Sequence, residues 1–78
     1  MRLIGVPDAS GKPTMWINAD HLVSVAPVIR TGDREVTLEA ELKVDGIPLQ
    51  RIKLGAHPER EAAEAAFSSF LDRLQDQT

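Results

Sequence analysis

Seventy-eight residues, 42% apolar and 27% charged, fit one folded domain (1–78) and leave no room for a second. The absence of cysteine excludes disulfides and thiolate metal sites, and a net charge of −3 argues against a general binder of nucleic acid or anionic membrane. A chain this short buries only about 60–65% of the surface its unfolded form exposes, so a partner subunit is the supplement left to it.

Leu3, Ile4 and Val6 mark a first strand over 2–6, ended by the turn formers of Pro7-Asp8-Ala9-Ser10-Gly11-Lys12-Pro13. The proline and acid come too soon for a secretory h-region, so no secretory leader is expected. No apolar run approaches the roughly 18 residues of a membrane span, so a cytoplasmic protein is expected. A second strand, 14–17, returns antiparallel after the short loop. Asn18-Ala19-Asp20-His21 then breaks the apolar pattern, and Asn18 suits the cap of a single helical turn. A third strand follows over 22–30, with Val23, Val25 and Ile29 at period two on one face. Pro27 lies inside it and cannot donate a ladder bond, which predicts an edge strand or a bulge near Pro27.

Thr31-Gly32-Asp33-Arg34 reads as a hairpin turn into the clearest signal in the chain. From 35 to 45, Val36, Leu38, Ala40, Leu42 and Val44 alternate with polar residues, which means a strand with one oily and one wet face. Asp45-Gly46 predicts a two-residue type I′ turn into a return strand over 47–54, setting Val44 opposite Ile47 and Leu42 opposite Leu49. The apolar phase then switches to Ile52 and Leu54, so a β-bulge is expected near Gln50-Arg51, with Arg51 and Lys53 beside Glu39 and Glu41. A helix over 58–75 follows, with Pro58 at its first position and Glu59 and Glu61 in its first turn. Its buried stripe is Ala63, Phe67, Phe70, Leu71 and Leu74, and Asp76-Gln77-Thr78 is expected to fray. The fold class is therefore α+β: an antiparallel β-meander of four to five strands packed by one C-terminal amphipathic helix.

No residue set carries a reaction. Asp20, His21 and His57 offer too few donors for a metal, and no cofactor motif is present. Glu39 and Glu41 stand about 6.8 Å apart on one strand face, the spacing of paired carboxylates, but the alternation itself demands polar residues there. Ser10, Ser24, Ser68 and Ser69 fit no nucleophile elbow, and Ser10-Gly11-Lys12 lacks the glycine spacing of a phosphate loop. Trp16 reads either as a core or sheet-packing residue beside Ile17 or as an interface anchor, with base stacking a distant third.

The segment Trp16-Ile17-Asn18-Ala19-Asp20-His21-Leu22-Val23-Ser24-Val25 resembles the asparagine-turn segment of small bacterial and phage-encoded proteins such as the FlbD-like family of flagellar operons. That resemblance extends in element order to the strand–Asp45-Gly46–strand hairpin and the final helix. It implies a small accessory protein without catalytic residues.

The function expected is a non-enzymatic interaction or assembly module. Its partner is a second copy of itself, as a homodimer or higher oligomer, with another protein as the alternative. The contact would lie on the edge strand around Leu22–Ile29 or on exposed helix stripe, and the candidate residues are Trp16, Val23, Val25, Ile29, Phe67, Phe70 and Leu74. The alternative reading is a nucleic-acid-binding small β-barrel-like protein using Arg2, Lys12, Arg30 and Arg34, against which the acidic charge counts.

Overall fold

The computed structural model describes residues 2–77. Five strands, β1 (Leu3–Pro7), β2 (Pro13–Asn18), β3 (Leu22–Thr31), β4 (Val36–Val44) and β5 (Gln50–His57), precede one helix, α1 (Arg60–Gln75). All pairings are antiparallel, and the strands divide into a β1–β2 hairpin and a three-stranded sheet ordered β3-β4-β5. A 3₁₀ turn, Ala19–His21, links the two, and the Asn18 side chain caps it by accepting the Asp20 N–H at 3.0 Å. The α+β class and the meander order of β3, β4 and β5 are those read from the sequence; the split into two sheets is new.

The core follows the alternation of β4. Val36, Leu38, Ala40, Leu42 and Val44 are all buried, while the residues between them face outward. Ile4, Val6 and Ile17 close over them from the hairpin, Ile52 and Leu54 from β5, and Ala63, Phe70 and Leu74 from α1. Full burial of a side chain such as Leu38 or Leu42 contributes about 1.5–3 kcal/mol. Ala63 and Ala40 are fully covered, which marks close approach of helix and sheet. The Phe67 and Phe70 rings stack at 6.1 Å.

The return hairpin departs from its expected form. Gly46 has φ +89° but Asp45 does not have a positive φ, so the turn follows the type II pattern rather than I′. Type II turns do not match strand twist and splay the strands. Pro48 adds a fixed φ and no N–H. The chain therefore does not pair again until Gln50, opposite Leu42, and Ile47 and Leu49 stay exposed in the loop. This late start repairs the apolar phase without a bulge at Gln50-Arg51, placing Ile52 opposite Ala40. The irregularity lies further on, between Thr37 and Glu39 of β4, across from Gly55 at φ +96°. The cross-strand pairs Glu41–Arg51 and Glu39–Lys53 form as expected.

Three smaller corrections concern the ends and β3. The bulge in β3 sits at Val23, between Leu22 and Ser24, and not near Pro27; Leu22 takes the core-facing place and Val23 is 54% exposed. The helix starts at Arg60 with Glu59 as N-cap, so Pro58 precedes the helix. Gln77 is not frayed: its side-chain Oε1 accepts the Gly5 N–H and its Nε2 donates to the Gly5 carbonyl, both at 2.8 Å. Thr78 lies outside the described residues.

Candidate assembly surface

β3 is an edge strand, with β4 on one side only. Which of its main-chain groups face that open side follows from two bonds at the ends of the ladder. Gly32 N–H donates to the Glu35 carbonyl at 2.8 Å, and Asp45 N–H to the His21 carbonyl at 2.9 Å. Bonded and non-bonded pairs alternate along an antiparallel ladder. The register therefore makes Ser24, Ala26, Val28 and Arg30 the residues bonded to β4. The main-chain groups of Val25, Pro27, Ile29 and Thr31 turn outward. Pro27 thus sits where its missing N–H costs the β3–β4 ladder nothing, and where it blunts the open edge.

The side chains along this edge are unusual for one. Of the ten residues LVSVAPVIRT only Arg30 is charged. Leu22, Val25 and Ile29 pack against the core from one side and remain half-exposed. Beside them a groove of about 310 Å³ opens between β3, the hairpin and the last turns of α1, lined chiefly by Ile4, Leu22, Val25, Leu71 and Leu74. Open edges of this kind are normally protected by charge, cover or extreme shortness.

β1 shows the protected case. Ala19 N–H donates to the Arg2 carbonyl at 2.7 Å, which by the same alternation turns the main chain of Gly5 away from β2. The Gln77 carboxamide occupies both of those groups, as a neighbouring strand would. The side-chain bond that approaches β3 from β4 ends instead on the Arg30 carbonyl, on the ladder side.

Of the candidate interface residues, Val25 and Ile29 lie on this edge and Val23 at its bulged start. Phe67 is half-buried against the core. Phe70 and Leu74 belong to the protomer's own core and are not surface. Trp16 is 62% exposed and lies across Gly5 on the outer side of the hairpin. A Cβ at Gly5 would stand 3.0 Å from the indole Cζ3, so glycine is what lets the ring lie flat on the strand. Sequence reasoning missed the loop residues Ile47 and Leu49, which it assigned to the core face; Pro48 between them was the available signal.

The residues weighed for chemistry are kept apart or paired. His21 and His57 lie at opposite ends of β4, roughly 30 Å apart by strand rise. Glu39 and Glu41 share the outer face as expected, each near an arginine: Arg30 at 3.8 Å and Arg51 at 3.5 Å. Ser10 caps a loop, its hydroxyl donating to Asp8 Oδ1 at 2.6 Å, and this bond first of all holds the Asp8 carboxyl below its ordinary value. His57 Nε2 is buried with no hydrogen-bond partner among the described residues, facing a cleft of about 260 Å³ with Ser69 and Arg73 on its walls. Among the described residues no group of three His, Cys, Asp or Glu side chains is placed to hold a metal ion, and no helix is long and apolar enough to cross a membrane. Comparison with known proteins matches the chain to no family model, no curated protein and no solved structure.

Proposed function

We propose that the chain is a non-enzymatic assembly module that works as a homo-oligomer. The observation that carries this reading is the open edge of β3: ten residues with one charge, flanked by half-exposed Leu22, Val25 and Ile29. An edge like this pairs with another strand unless it is blocked, and among the described residues only Pro27 stands in the way. The shape points the same way. The radius of gyration is 12.6 Å, against about 11.5 Å for a compact chain of this length, with extents of 42 × 23 × 16 Å. A slab that thin has little interior of its own to draw stability from.

The resemblance of Trp16 to Val25 to the FlbD-like segment fits a small accessory role of this kind. The nucleic-acid reading has less support. Of the four basic residues it invokes, Arg2 and Arg30 each face a carboxylate, at 2.9 and 3.8 Å, and the chain carries a net charge of −3. Sedimentation velocity across micromolar concentrations tests the proposal: the expected result is a mass above one chain, rising with concentration. A single 8.5 kDa species throughout would remove it.

A further inference from the structure

We infer that the occupant of the β3 edge is β3 of a second copy, paired antiparallel about a two-fold axis at Val28, so that two three-stranded sheets become one of six strands. This rests on the assembly reading above and goes beyond it by fixing the contact residue by residue.

Only outward-turned groups can bond across the edge, which are those of Val25, Pro27, Ile29 and Thr31. An axis at Val28 sets Val25 opposite Thr31 of the second copy and Pro27 opposite its Ile29. Each Val25–Thr31 pair exchanges two bonds, and each Ile29 N–H finds a Pro27 carbonyl, for about six main-chain bonds in all. An axis at Pro27 would oppose two residues that lack N–H groups and waste the central pair. An axis at Ala26 would draw the bulge at Val23 into the ladder opposite Ile29. Proline thus does not close the edge; it selects the register.

The side chains agree with this register. On the inner side Val25, Pro27 and Ile29 meet Thr31, Ile29 and Pro27 of the second copy, joining the half-exposed apolar rows of both protomers. On the outer side Arg30 faces Ala26, so the lone charge of β3 never meets its own kind. The two-fold runs perpendicular to the sheet and leaves both helices on one face. A closed isologous contact of this kind consumes both free β3 edges and leaves β5 at the two ends of the joined sheet.

The chain has no cysteine, so a single introduced thiol reports the axis directly. Val28 turns its main chain to β4, and at the axis it would form a non-hydrogen-bonded pair with its own copy, at a Cα separation of about 4.5 Å that a disulfide spans. Val28→Cys is expected to cross-link on mild oxidation at least tenfold faster than Ala26→Cys, whose two copies would stand roughly 13 Å apart. Mixing Ala26→Cys with Arg30→Cys chains gives an independent reading, because those positions face each other across the proposed axis and a mixed disulfide is expected. If Ala26→Cys cross-links as fast as Val28→Cys, or the mixed pair fails to form, this register is wrong. Sedimentation of the same reduced variants separates the two ideas: dimers without the Val28 cross-link overturn the axis alone, and monomers overturn the assembly reading with it.

Discussion

β1 and β3 are both edge strands whose outward main chain can be assigned, and they meet that exposure in opposite ways. On β1 the chain returns from 72 residues away to place Gln77 against Gly5, using a carboxamide as a one-residue strand. On β3 nothing comparable arrives among the described residues, and the edge carries a proline. The contrast teaches that the same kind of main-chain exposure is met on β1 by a side chain arriving just past α1 and, among the described residues, is left open on β3.

The assignment of inward and outward groups on β3 is the point at which the contrast breaks most sharply. Val28→Pro deletes an N–H committed to β4 and is expected to cost about 3 kcal/mol or more, enough to unfold much of a domain this size. Thr31→Pro deletes an outward N–H and should leave the protomer's melting transition within about 0.5 kcal/mol of the parent. Its effect falls on association, where losing two bonds per dimer weakens self-affinity about tenfold. Circular dichroism melts at low concentration, paired with sedimentation, read both. Equal destabilisation by the two prolines would mean that the alternation has been assigned wrongly.

The next effect is smaller and concerns the closed edge. Gln77→Ala removes both part-buried bonds to Gly5, for an expected loss of about 1–2 kcal/mol. For a domain of this length that lowers the melting temperature by about 4–8 °C for each kcal/mol. Amide exchange at Gly5 should rise with it, while exchange at Val28 stays put. Unchanged stability would show that the carboxamide does not hold β1.

Little of this contrast was legible in the sequence, although much of the fold was. β4 declared itself because strict alternation over Val36–Val44 has one geometric solution, and α1 because Ala63, Phe70 and Leu74 repeat at helical spacing. Asn18 announced its turn by local chemistry alone. Pro27 announced an edge. The outward direction of Val25 and Ile29 was not readable, since it depends on where the β3–β4 ladder is bonded and on the bulge at Val23. The Gln77–Gly5 contact joins opposite ends of the chain and leaves no local trace. The β4–β5 turn was misread because Asp45-Gly46 was weighed without Pro48 two residues on. For Trp16 the exposed position overturns only a place in the core; that its ring lies on Gly5 follows from the hairpin register, which no local pattern gives.

The smallest effect separates the loops that join the two hairpins. The β3–β4 loop is closed by main chain, Gly32 N–H to Glu35 carbonyl, and has no titrating group in that bond. The β1–β2 loop has main-chain bonds of its own, Asp8 N–H to the Lys12 carbonyl at 2.9 Å and Gly11 N–H to the Asp8 carbonyl at 3.0 Å, and adds the Asp8 carboxylate, which accepts from the Ser10 hydroxyl at 2.6 Å and from the N–H groups of Ser10 and Lys12 at 2.9 and 3.3 Å. Those bonds favour the charged form and lower the Asp8 pKa, with the Ser10 hydroxyl the largest cause. A lowered folded pKa means that the stabilisation is fully present above the unfolded value, about 3.9, and is lost as pH falls through the lower folded value. In an NMR titration Asp8 is expected to ionise below the usual aspartate range, and Ser10→Ala should carry it back up. The Gly32 amide should show no corresponding step. If Asp8 titrates normally in the parent chain, or does not respond to Ser10→Ala, then its carboxylate does not tie the first loop and both loops are held by backbone alone.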